Sequence, residues 1–167
     1  MQSDQVTLPE LMDVESVYTC LRELDKLKDA VYKTEEGGFD EVLESVVNRD
    51  LYHAVIEIMK QTGGGNDPQS REAGIERLKA ALQAIPVVKL QIAVPLPTKS
   101  LKTIHTWVKA NLHDPAVLDT EVSPELLGGV RISFNGKFSD KSVAAKWPEV
   151  WKAVQEEGKQ PAVREGG

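Results

Sequence analysis

The sequence predicts an α+β protein: about three antiparallel helices at the front, then a small sheet packed with helices. Two observations carry this. Apolar residues recur at three- and four-residue steps through the first half, and from Pro86 onward the pattern switches to period-two alternation punctuated by Gly, Pro and Asn-Gly. The 167 residues suit one ordinary domain or two small ones. Hydrophobic residues make up 41% and aromatics only 5%, so the core rests on Leu, Val, Ile and Ala.

The first helix is expected from about Glu10 to Lys33, with Val14, Val17, Leu21, Leu24, Leu27 and Val31 as one stripe. Glu23 with Lys26, and Asp25 with Lys28, are opposite charges three apart on its polar side. Gly37-Gly38 ends it. A second helix is expected from Asp40, as N-cap, to about Gln61. Its stripe is Leu43, Val46, Val47, Leu51, Ala54, Val55, Ile58 and Met59. Residues 62–68, Thr-Gly-Gly-Gly-Asn-Asp-Pro, read as a flexible hinge. They are not a phosphate loop, since no Lys-Ser or Lys-Thr pair follows and no buried strand precedes. A third helix, about Gln69 to Ala84, buries Ile75, Leu78, Leu82 and Ile85. Helices this short and one-faced must pack on one another or on a partner.

Val87 to Val94 reads as a strand with Val88, Leu90, Ile92 and Val94 on its covered face. Pro95 and Pro97 end it, and Thr98 can cap a helix from Lys99 to about Leu112 that buries Leu101, Ile104, Val108 and Leu112. Val117–Val122 is extended. Ser123-Pro124 opens a one-turn helix to Leu127 as N-cap and first-turn proline. Val130–Phe134 is a strand, and Asn135-Gly136 is a strong hairpin signal returning through Lys137–Ser139. Asp140 can cap a last helix holding Ser142, Val143 and Trp147, which Pro148 interrupts or restarts. Val150, Trp151 and Val154 continue its apolar face, and the polar stretch from Glu156 reads as a disordered tail.

The formal net charge of −6 is uneven: residues 1–62 carry 14 acids and 6 bases, the remainder 12 and 14. An acidic front half argues against a nucleic-acid partner. No segment approaches 18 continuous apolar residues, so no direct membrane insertion is expected, and the start shows neither the basic nor the apolar run of a secretory leader. Cys20 is the only cysteine and reads as a buried thiol. His53, His105 and His113 form no metal-ligand spacing, and no nucleophile elbow is present, so no catalytic, metal or cofactor site is expected. A small enzyme whose site is assembled only by folding stays open as an alternative. Trp107, Trp147 and Trp151 either fill the core of the second half or stand, with Val150 and Val154, on a surface that receives an amphipathic helix.

The span from Val122 to Val143 sharpens this. A helical turn ending in Leu127, then Gly128-Gly129, the alternating strand, Asn135-Gly136 and Asp140-Lys141-Ser142 occur in one ordered run. This resembles the C-terminal signature of the F-type ATP synthase delta subunit family, also called the oligomycin-sensitivity-conferring protein. The similarity covers about residues 86–155. Three departures stand out: Lys141 replaces the usual Gly of Asp-Gly-Ser, Pro148 interrupts a helix that is normally longer, and only about 85 residues precede the first strand where the family carries a six-helix bundle. The resemblance implies a non-catalytic peripheral-stalk subunit, peripheral to an energy-coupling membrane on its soluble side. It further implies a helical region, residues 1–85, facing the F1 alpha subunits, and a C-terminal module binding the stalk b-type subunit. A free-standing module that grips an amphipathic helix elsewhere is the alternative. Gly128, Gly129, Asn135, Gly136, Asp140 and Ser142 are then structural residues that shape the backbone, and Trp107, Trp147, Val150, Trp151 and Val154 are the candidate partner contacts.

Overall fold

A computed structural model describes residues 6–32, 38–63 and 67–157. Its contacts divide the chain into two compact units, Met1–Val87 with His105–Leu118, and Val88–Ile104 with Asp119–Gly167. The elements run α1 (Val14–Val31), α2 (Gly38–Val46), α3 (Arg49–Gln61), α4 (Pro68–Gln83), β1 (Val87–Ile92), α5 (Thr98–Asn111), β2 (Val117–Val122), a 3-10 turn (Pro124–Leu126), β3 (Val130–Phe134), β4 (Lys137–Asp140) and α6 (Val143–Glu157).

The front half holds four helices rather than about three, because the second expected helix is two. Its apolar stripe does run on: Leu43, Val47, Leu51, Val55 and Ile58 are all buried. The backbone between them breaks at Asn48, whose Oδ1 accepts the Leu51 N–H at 3.0 Å and so caps α3. The backbone N–H and Nδ2 of Asn48 both donate to Glu23 Oε2 on α1, at 3.1 and 2.9 Å. An Asx cap satisfied on both sides outcompetes helix continuation. Asp40 is not the N-cap of α2 but its third residue. The first helix starts at Val14, the first residue of its apolar stripe, rather than at about Glu10. Asp13 caps it by accepting the Ser16 N–H at 2.8 Å, while the Met12 carbonyl accepts the Leu118 N–H at 2.9 Å, holding the preceding residues beside β2. α4 begins at Pro68, and Asp67, read from sequence as part of the hinge, is its N-cap with Pro68 in the first turn. Of the 62–68 loop, residues 64–66 lie outside the described residues.

The core of this unit is aliphatic: Leu24 and Leu27 from α1, Leu43 from α2, Leu51, Val55 and Ile58 from α3, and Ile75, Leu78 and Leu82 from α4 are fully enclosed. Cys20 lies in the same core, and burial pushes its thiol pKa up. The charges expected to pair within α1 go between helices instead. Asp25 receives Lys79 at 2.7 Å, and Lys28 reaches Glu72 and Glu76 at 3.0 and 2.7 Å. Tyr32 adds a hydroxyl hydrogen bond to Glu72. These contacts stitch the outer seam of the α1–α4 pair.

The sheet has the order β2-β1-β3-β4. β3 is antiparallel to both neighbours, with Gln91 opposite Arg131 and Arg131 opposite Asp140. Backbone bonds from the Val117 N–H to the Pro86 carbonyl and from the Ser123 N–H to the Ile92 carbonyl set β2 alongside β1 in the same direction, so the sheet is mixed. Val88, Leu90 and Ile92 are buried as alternation requires. Val94 falls beyond the strand end and is exposed, because β1 stops at Ile92. In α5 the buried residues are His105 and Val108. Leu101 and Ile104 are half-buried, and Leu112 is exposed. The histidine tolerates enclosure because its Nε2 lies 2.9 Å from the Ala116 carbonyl.

Candidate interaction surface

The hairpin is where local sequence determines the geometry most directly. Asn135 (φ 48°) and Gly136 (φ 73°) take the two left-handed conformations of a tight turn joining β3 to β4. Ahead of it, Gly129 (φ 77°) lies against the backbone of Lys141 and Ser142, and an added Cβ would collide with the Lys141 carbonyl oxygen. Gly128 accepts the Val143 N–H at 2.9 Å through its carbonyl, and a Cβ on it would sit 3.0 Å from Val143 Cγ2. The pair of glycines therefore lets the start of β3 and the start of α6 approach backbone to backbone.

The cap of α6 differs from the expected one. Ser142, not Asp140, is the N-cap: its buried Oγ accepts the Ala145 N–H at 3.1 Å. Asp140 stands one step behind. Its Oδ1 accepts the Ser142 N–H at 2.9 Å, and its Oδ2 accepts both Nε and Nη2 of Arg131 at 3.0 Å. Hydrogen bonding from Ser142, with Arg131 adding, pulls the Asp140 carboxyl down to about 2. Arg131 Nη1 also donates to Gln91 Oε1 at 3.2 Å, and Gln91 Nε2 donates to Glu121 Oε2 at 2.8 Å. Glu121, Gln91, Arg131 and Asp140 thus form a polar ladder across all four strands that ends at the first turn of α6. Arg131 was legible only as a polar member of an alternating strand. Its role comes from cross-strand register, which one strand's sequence does not carry. Ser123 is buried but makes no side-chain cap on the 3-10 turn.

α6 runs unbroken through Pro148 to Glu157. Within its unit it packs against the 3-10 turn, and every residue from Ala145 to Ala153 is exposed. Val143, Trp147, Val150 and Trp151 share one face at helical spacing, and are 44%, 52%, 51% and 55% exposed. The tryptophans of α6 are therefore not core residues. The Val154 side chain and residues 158–167 lie outside the described residues. Trp107, on α5 in the other unit, is also half exposed. Leu127 (65% exposed) and Phe138 (64%) were not singled out by pattern, since neither sits in a periodic run.

Among the described residues, no three His, Cys, Asp or Glu side chains gather to hold a metal. His53 is exposed beside Tyr52, and His113 Nδ1 meets the Pro115 carbonyl. No described helix is long and apolar enough to cross a membrane.

The family model described as ATP synthase delta (OSCP) subunit matches residues 7–153, and the chain belongs to that family. The match takes in the front helices as well as the Gly-Gly signature. No curated protein matches the chain. Members of the family are structural, non-catalytic subunits of the ATP synthase peripheral stalk, and membership supports that role here.

Proposed function

We propose that this member of the ATP synthase delta (OSCP) family joins the F1 head to the stalk by holding helices of neighbouring subunits, and that α6 is its stalk-facing grip. The observation that carries the reading is the uncovered apolar face of α6: Trp147, Val150 and Trp151 stand half exposed in a run, Ala145 to Ala153, whose residues are all exposed. A helix with such a stripe gains most by burying it against a second amphipathic helix, and the family's stalk b-type subunit supplies the occupant. Residues 86–155 form the stalk-binding part in this reading, with Val154 continuing the stripe and Trp107 as a separate contact.

The helical region, residues 1–85, faces the F1 alpha subunits. Support comes from a shallow groove of about 210 Å³ in the first unit, where Val14, Tyr18 and Leu21 of α1 meet Ile85 and Val87. Tyr18 is 61% exposed at its edge. The protein works on the soluble side of an energy-coupling membrane, bound through other subunits.

The test is co-purification from native membranes, scored for rotary ATPase subunits. The wild-type chain should carry stalk b-type and alpha subunits. Replacing Trp147 and Trp151 together with Ala should cut recovery of the b-type subunit at least tenfold while sparing the alpha subunits, since two aromatic anchors carry a large share of such an interface. Undiminished recovery of the b-type subunit would remove α6 from the contact.

A further inference from the structure

We propose that the Gln91 side-chain amide is a two-state element that couples the outer strand β2 to the start of α6: a positive charge brought to the Glu121 end reverses the amide, draws Arg131 off Asp140 and loosens the cap of α6. The proposal uses only residues of the second unit and does not depend on which partner α6 meets.

The side chains of the ladder form a run of fixed polarity. The Glu121 carboxylate only accepts hydrogen bonds, and the Arg131 guanidinium only donates them. Gln91 lies between, its Nε2 donating to Glu121 Oε2 at 2.8 Å and its Oε1 accepting from Arg131 Nη1 at 3.2 Å. Those two neighbours leave the amide a single satisfied orientation. Arg131 passes that order on. Its guanidinium is a rigid plane, so the Nη1 contact with Gln91 moves together with the Nε and Nη2 contacts with Asp140 Oδ2, both 3.0 Å. Asp140 in turn holds the Ser142 N–H, and the Ser142 hydroxyl caps the Ala145 N–H.

The run can be reversed from outside. Glu121 is exposed, and a concavity of about 490 Å³ opens over Glu121, Gln91 and Arg131, with Lys89 and Asp119 on its wall. A positive charge at the Glu121 end repels Nε2 of Gln91 and attracts Oε1, so the amide turns over. N–H donors then face Arg131 Nη1 with no acceptor between them. The guanidinium plane shifts, and Asp140 loses the cation that fixes its carboxylate against Ser142. Position 121 thus reaches the first turn of α6 across the sheet through side chains alone.

The experiment is hydrogen exchange at the Ser142 and Ala145 amides, followed by NMR in the full-length chain, with the Leu27 amide in the aliphatic core as reference. Glu121→Lys supplies the positive charge in place. It should speed exchange at both amides roughly two- to fivefold and leave Leu27 unchanged. Glu121→Gln keeps an acceptor for Gln91 Nε2 and should exchange at the wild-type rate. Gln91→Met removes the amide that turns, so adding Glu121→Lys to it should change nothing further. Wild-type exchange in Glu121→Lys overturns the proposal. Equal acceleration by Glu121→Lys with and without Gln91 overturns it too, because the charge then acts without the amide. So does an effect of Glu121→Gln as large as that of Glu121→Lys, which would trace the response to the lost carboxylate. Faster exchange at Leu27 in Glu121→Lys would replace the relay with a general loss of stability.

Discussion

α1 and α6 are both amphipathic helices with an apolar residue every three or four positions, yet they have opposite fates. In α1, Val17, Leu24, Leu27 and Val31 are all buried, and the polar edge is tied to α4 by Lys28 and Lys79. In α6 the stripe of Val143, Trp147, Val150 and Trp151 lies open. The composition of the two stripes matches the difference. α1 uses aliphatic side chains that fill an interior closely. α6 uses two tryptophans, which bury much area at little conformational cost when a partner arrives. Periodicity alone signals that a face will be covered; residue type helps to say whether this chain or another does the covering.

The largest effect should come from exchanging those fates. Leu78→Ala opens a cavity in a fully enclosed site and should cost about 2–5 kcal/mol, read as a lowered denaturant midpoint with unchanged slope. Trp151→Ala, a much larger truncation by volume, should stay within about 0.5 kcal/mol in the isolated chain because its site is already solvated. Equal losses for the two would mean that α6 is packed in solution, and the contrast would collapse.

Gly129 sharpens the comparison from the backbone side, since it is the point where α6 is attached. Gly129→Ala meets two obstacles, the positive φ and the Lys141 carbonyl. The expected cost is about 2–4 kcal/mol by thermal unfolding. Gly136→Ala, with the same sign of φ but open space around it, should cost about 1 kcal/mol. The difference between the two variants isolates the close approach from the dihedral.

The fold was legible wherever a local rule fixed it. Asn135-Gly136 gave the hairpin and the switch at Pro86 the start of β1, whereas Asp67 and Pro68, read as the end of a hinge, cap and open α4. What escaped the sequence reading depends on contacts between segments. The Asn48 break lies inside an unbroken apolar stripe, and its stability comes from Glu23, 25 residues earlier. The inward face of α5 is centred on His105 because Ala116 offers it an acceptor, which no helical pattern announces. At the candidate site, the spacing of Val143, Trp147, Val150 and Trp151 was readable, but whether they face inward was not. Two of the misplaced roles, those of Asp140 and Ser142, differ by one relay. The acid was read as the cap because Asp and Ser are both good N-caps; only the geometry shows Ser142 capping and Asp140 holding Ser142.

That relay gives the smallest and most specific prediction. The Asp140 carboxyl titrates at about 2 in the folded chain, against 3.8 as its ordinary value. A carboxyl whose pKa is depressed by folding contributes stability that is fully present above its unfolded value and is lost as pH falls through the folded one. The contribution of Asp140 is therefore constant above about pH 4 and fades between pH 4 and 2. Asp140→Asn retains an oxygen for the Ser142 N–H but gives up the charge that Arg131 engages. Its unfolding midpoint should sit about 1–3 °C below wild type at pH 5–8, a modest gap because the pair is accessible to solvent. The gap should close as pH falls from 4 to 2, since the wild-type carboxyl is then protonated as well. A gap that persists undiminished at pH 2 would mean that Asp140 acts through shape and hydrogen bonding alone. The ladder from Glu121 to α6 would then be a matter of register, with no electrostatic contribution of its own.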